Sequence, residues 1–168
     1  MSGMLGQLSS VRERIYIEAP YVQAFGAFER RLGLAHGAAG GHCALTLVAP
    51  MGEGRAIVRD VTATTKRIPG TANFTSRYGI TWDAGQTQRG LPTPGFDGTL
   101  TLRAGEDYGE CVLELSGRYE PPAGIAGKFF DDVVGRRIAH ATLGALLEGV
   151  GAELRAAHEQ TEAAKHKA

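Results

Sequence analysis

The most constraining feature of this chain is a change of period at Pro121 and Pro122. Beyond them the apolar positions recur as on a helix and continue to Leu154, about thirty residues without a proline. At about 100° per residue, Ile125, Phe129, Ala139, Leu143, Leu146, Leu147, Val150 and Leu154 fall on one stripe. Before them, from His42 to Pro121, the texture is of short runs rich in Val, Leu, Thr and Tyr, cut at intervals by Gly, Pro and Asp. The links are short, so the runs predict antiparallel strands. One helix cannot cover a sheet of six or seven strands unless the sheet curls around it. Such an arrangement leaves a hollow between helix and sheet, where proteins hold small apolar molecules.

The remaining segments fit this plan. VRERIYIEAP alternates, with Val11, Ile15 and Ile17 on one face and Arg12 and Arg14 on the other, which predicts a half-buried first strand. Pro20 stands where a first helical turn tolerates it. Val22, Phe25, Phe28 and Leu32 then predict a short amphipathic helix. HGAAGG reads as a loop. HCALTLVAP, GRAIVRDVTAT, ANFTSRYGITWDA, GFDGTLTLRAG and GECVLELSGRYE are the further strands. In the last of these, Cys111, Leu113, Leu115 and Tyr119 share the dry face. The chain is expected to form a single domain over residues 1–168, with residues 1–9 a loose leader and 157–168 a frayed polar tail. Its class is α+β.

Several functions are disfavoured by composition. Lys+Arg and Asp+Glu are both 18, giving a formal net charge of zero, and no basic run would follow a phosphate backbone, so nucleic acid is not an expected partner. No apolar run approaches the roughly 20 residues that span a bilayer, so no transmembrane segment is expected. Cys43 and Cys111 have neither CxxC spacing nor nearby histidines, so no metal site is expected and buried free thiols are the default reading. A disulfide between them would need neighbouring strands, and without a secretory leader a cytoplasmic location is expected. No GxGxxG opens a helix after a strand, and GxxxxGK[ST] is absent, so phosphate cradling is unsupported and no cofactor is implied.

Candidate site residues are the polar groups expected to face the hollow. On the wheel Asp132, Arg136 and His140 share the stripe of Phe129 and Leu143, and charges on an apolar face need partners or a ligand. The competing reading places them at the rim as an ordinary ion pair on a slightly turned helix. Tyr78, Ile80 and Trp82 align on one strand face and would make an aromatic wall, with Leu113 opposite the helix. His140 has no recognisable catalytic companion. A second apolar helix face, Phe130, Val134, Ile138 and Ala141, would cover the mouth of the cavity or meet a partner chain, a homodimer included.

The segment FDGTLTLRAGEDYGECVLELSGRYEPPAGIAGKFFDDVVGRRIAHATLGALL resembles the START-like superfamily, also called SRPBCC, whose members include polyketide cyclases, aromatases and lipid carriers. LSGRYEPPAGIAGKFFDD carries the sharper part of the likeness, and the opening IYIEAPYVQAF extends the shared order of elements over nearly the whole chain. The resemblance implies a helix-grip fold and a deep, mostly apolar cavity whose lining differs between members. It transfers no functional residue. It also implies that HGAAGG replaces the usual second short helix. The function expected is binding of an apolar small molecule such as a lipid, quinone or polyketide. The alternatives are a cyclase or dehydratase in which His140 or Arg136 polarises a carbonyl, and an interaction module built on the long helix.

Overall fold

The computed structural model describes residues 9–87, 89–122 and 132–167. Ten elements follow in the order β1 (Ser9–Ile17), α1 (Tyr21–Arg31), β2 (Gly40–Gly52), β3 (Arg55–Ile68), β4 (Thr75–Trp82), β5 (Gly85–Gln86), β6 (Pro92–Thr93), β7 (Gly95–Ala104), β8 (Cys111–Glu120) and α2 (Asp132–Lys165). Six strands form one antiparallel sheet in the order β1-β8-β7-β4-β3-β2, while β5 and β6 pair only with each other. This is the α+β, helix-grip architecture expected from the sequence.

The alternation of β1 holds: Val11, Ile15 and Ile17 are buried and Arg12 and Arg14 exposed. In β4, Tyr78, Ile80 and Trp82 are all buried on one face. The β2–β3 hairpin is longer than the sequence suggests and turns at Glu53 and Gly54, both with positive φ. HGAAGG, residues 36–41, leads into the first residues of β2, and no second short helix stands between α1 and β2. Cys43 in β2 and Cys111 in β8 lie on strands that are not neighbours, so both remain free buried thiols.

The sheet closes on α2 from both ends. The helix packs against β1 and β2, the two edge strands, through a buried line of Ala139, Leu143, Leu146, Leu147, Val150 and Leu154. Gly151 sits where a Cβ would come within 2.6 Å of the Ile15 Cδ1, so its lack of a side chain permits the approach to β1. A second close approach lies in the sheet itself. Gly98 of β7 is paired with Gly117 of β8, and the Phe96 ring fills the space that a Cβ at either position would enter. A facing pair of glycines covered by an aromatic ring is a device for bending a sheet.

The tail differs from expectation. The helix continues to Lys165 rather than fraying after residue 157. Its last turns are held from outside by α1, where Gln23 Nε2 donates to Glu162 at 3.1 Å and Gln23 also bonds His158; farther up the helix Arg31 Nε donates to Glu153 at 2.7 Å. Phe129 and the first part of the predicted helix lie outside the described residues, as does the leader before Ser9.

A polar strut fixes α1 to the sheet. Arg67 of β3 donates twice to the Glu29 carboxylate of α1, at 2.9 and 2.6 Å, and the Tyr78 hydroxyl donates to the same group at 3.0 Å. Burial alone would raise the Glu29 pKa, but the bonds from Arg67 and Tyr78 and the guanidinium charge outweigh it, holding the carboxyl below its ordinary value. Because the folded pKa is depressed, this contribution is present above the unfolded carboxyl pKa and is lost as pH falls through the folded one. Glu29→Gln should therefore lower stability by about 2 kcal/mol at neutral pH. In urea titrations the gap from the parent protein should narrow as pH falls below about 4. A gap that stays constant with pH would show that the carboxylate charge is not what matters.

Candidate functional site

Two depressions meet along one seam at the end of the sheet where β4, β7 and β8 bring an aromatic row into register. Trp82 pairs with Phe96, and Phe96 with Tyr119. The Trp82 and Phe96 rings stack at 4.9 Å, and all three side chains are buried. Tyr119 lines the first depression and Trp82 the second.

The first is an apolar niche beneath α2. Leu47 and Ala49 of β2, Ile57 of β3, Pro92, Pro94 and Ile138 of α2 form most of its wall. Its free volume is about 30 Å³, room for about two waters by volume. Its polar groups are few. Tyr119 and Thr142 are 1% and 0% exposed, their hydroxyls are hydrogen-bonded to each other, and Thr142 Oγ1 donates to the Ile138 carbonyl at 2.7 Å. Burial raises the Tyr119 pKa despite the bond to Thr142, so the phenol stays protonated at neutral pH. Among the described lining residues Arg59 supplies the single charge.

The second is an open polar cleft of about 770 Å³ between β3 and the segment that carries β5 and β6. It exists because β3 pairs with β4 only from Thr64 to Ile68, so residues 55–63 are laddered on the β2 side alone. Pro92 and Pro94 cannot donate backbone hydrogen bonds, which disfavours their joining the main sheet.

Of the seven sequence-predicted site residues, the five whose side chains are described lie in separate places. Tyr78 is in the core, its ring edge-on to Phe28 at 5.4 Å and its hydroxyl committed to Glu29. Leu113 is also core, beside a void of only about 10 Å³ that it shares with Phe28, Leu146 and Leu147. Trp82 faces the cleft. Arg136 and His140, expected on the buried stripe, are exposed. At this end the buried line runs through Gly135 and Ala139, and Arg136 and His140 each stand one residue, about 100°, past it. His140 Nδ1 instead pairs with Glu13, an inward-facing, half-exposed residue of β1 that sequence reading passed over. Asp132 begins α2, and its side chain lies, with Phe129, outside the described residues. Ile138, from the second apolar face expected to cover the mouth of the cavity or meet a partner chain, lines the niche.

Besides Glu13, the site residues Arg59, Thr142, Phe96 and the proline pair were not among those expected. Pro92 and Pro94 were visible as strand breakers, but nothing local said that they would wall an apolar space. Among the described residues no group of His, Cys, Asp and Glu could hold a metal ion, and no helix is long and apolar enough to cross a membrane.

The buried thiols give a direct check. Burial, with the nearby Glu110 charge, pushes Cys111 up to about 11, and burial raises Cys43 against the opposing charge of Arg31. At pH 8 the Cys111 thiolate fraction is on the order of one in a thousand. An aromatic disulfide reagent should leave both thiols unreacted in the native protein and titrate two after unfolding. Rapid titration of either one in the native state would contradict their placement.

No protein-family model matches this chain, and no curated protein matches it. Solved structures do. A Thermus thermophilus protein, TTHA0849, aligns with a TM-score of 0.54 at 18% identity over 89% of this chain and 99% of its own. StfQ, a di-domain aromatase/cyclase from the steffimycin biosynthetic pathway, aligns with a TM-score of 0.52 at 13% identity. That alignment covers 93% of this chain and 52% of StfQ, so this chain spans about half of it. At these identities the likeness is one of fold alone, a curved antiparallel sheet gripping a long C-terminal helix.

Proposed function

We propose that this helix-grip protein binds a small apolar molecule in the niche between β2, β3, β8 and α2. The observation that carries the reading is the chemistry of the wall. Aliphatic and proline side chains surround two fully buried hydroxyls, Tyr119 and Thr142, which can fix the orientation of one ligand oxygen. As closed, the niche is smaller than any lipid or polyketide, so a ligand enters only by displacing part of the wall. The proline segment is the part least tied to the main sheet.

Binding is favoured over catalysis by what the wall contains. Among the described lining residues there is no carboxylate or imidazole, and Tyr119 is held protonated, so the niche lacks a general base at neutral pH. Arg136 and His140, the groups considered for polarising a carbonyl, stand exposed outside it. Because one bearer of the fold is an aromatase/cyclase, a neutral fused-ring compound is a suitable first probe.

N-phenyl-1-naphthylamine should bind the protein saturably at one site per chain, with a rise in its fluorescence. Ala49→Trp, which fills the niche, should weaken binding about tenfold or more, while Ile138→Ala, which enlarges it, should strengthen binding. Circular dichroism would verify that each variant is folded. No saturable binding by the parent protein, or equal affinity in all three proteins, would refute the niche as the site.

A further inference from the structure

The niche and the cleft share one side chain. Arg59 lines both, and its Nε donates to the Pro92 carbonyl at 2.9 Å while Nη1 donates to the Val58 carbonyl at 2.8 Å. Along the proline segment the lining alternates: Leu91 and Thr93 face the cleft, Pro92 and Pro94 the niche. A single thin wall therefore separates an apolar space from a polar one. Among the described residues, the one hydrogen bond from β3 to this segment is that of Arg59 to Pro92. The wall is a seam closed by one guanidinium.

We propose that Arg59 is a latch, and that the natural ligand is an anionic amphiphile whose carboxylate takes the guanidinium in place of the Pro92 carbonyl while its apolar part enters the niche. This rests on the niche being the binding site and adds the class of head group and the route of entry. No carboxylate of the described residues forms an ion pair with Arg59. Its neighbour Asp60 accepts instead from Thr46 of β2 at 2.8 Å. A guanidinium bonded only to neutral carbonyls gains a stronger, forked interaction when a carboxylate arrives. The remaining charges along the cleft, Asp60, Asp83 and Arg89, do not create a general attraction for anions, so selection of an acid has to come from the Arg59 contact itself. Trp82, buried against this cleft with its indole N–H unpartnered among the described residues, stands beside the path as a further donor.

The test is a comparison of decanoate with decanol, read by the emission of Trp82, the only tryptophan in the chain. In a plain apolar niche the alcohol binds better, because a carboxylate loses more hydration than a hydroxyl. With the latch, decanoate should bind the parent protein about tenfold more tightly than decanol. Arg59→Met, which keeps bulk and removes charge, should reverse that order, and Arg59→Lys should restore part of the preference. If decanol binds the parent protein as well as decanoate, or if Arg59→Met leaves the preference intact, the latch is wrong while the niche stands. If neither ligand nor N-phenyl-1-naphthylamine binds, the niche reading and the latch fall together. The parent-protein comparison decides the matter even if Arg59→Met does not fold.

Discussion

One helix serving a six-stranded sheet is the constraint on which the rest of this molecule depends. A sheet that wide exposes far more apolar surface than one flat-lying helix can cover, so both edge strands must reach the helix. Here α2 meets β1 on one side and β2 on the other. Three glycines take part in that geometry: Gly98 and Gly117, paired across β7 and β8 beneath the Phe96 ring, and Gly151, where the helix touches Ile15. The register of β4, β7 and β8 places Trp82, Phe96 and Tyr119 in one row close to that glycine pair.

The smaller helix completes the enclosure by charge and hydrogen bonding as much as by packing. Glu29 gathers Arg67 and Tyr78 from two adjacent strands, and Gln23 and Arg31 reach across to the far half of α2. Segments distant in the chain are thereby tied at the end of α2 opposite the niche. At the end that carries the niche, the Glu13–His140 pair ties α2 to β1, while among the described residues β6 is joined to the body by the Arg59 bond and by its continuity with β7. The proline segment is the part of the niche wall whose opening breaks few of the described hydrogen bonds.

Much of this was legible in the sequence because it depends on period. The alternation of Val11, Ile15 and Ile17 and of Tyr78, Ile80 and Trp82, and the helical stripe from Ala139 to Leu154, each reported its buried face correctly. What period could not report was where a face ends. Arg136 and His140 fell on the stripe by arithmetic, yet the contact line at that end runs through Gly135 and Ala139, and Glu13 from β1 takes the imidazole. The helix past residue 157 reads as frayed because its stabilising partner, Gln23, which bonds His158 and Glu162, is more than a hundred residues away. The niche was illegible for the same reason. Its wall joins β2, β3, a proline pair and α2, segments whose meeting no local pattern reports.

The central claim is that the space under α2 beside Tyr119 and Thr142 receives the ligand. Isotope-edited nuclear Overhauser spectra of the labelled protein with an unlabelled apolar ligand test it most directly. The account predicts intermolecular contacts to the methyl groups of Leu47, Ile57, Ile138 and Thr142, with the core methyls of Leu113 and Leu143 unaffected. Contacts confined to the exposed aromatic rings of Phe74 and Tyr108, with none to those four residues, would contradict it.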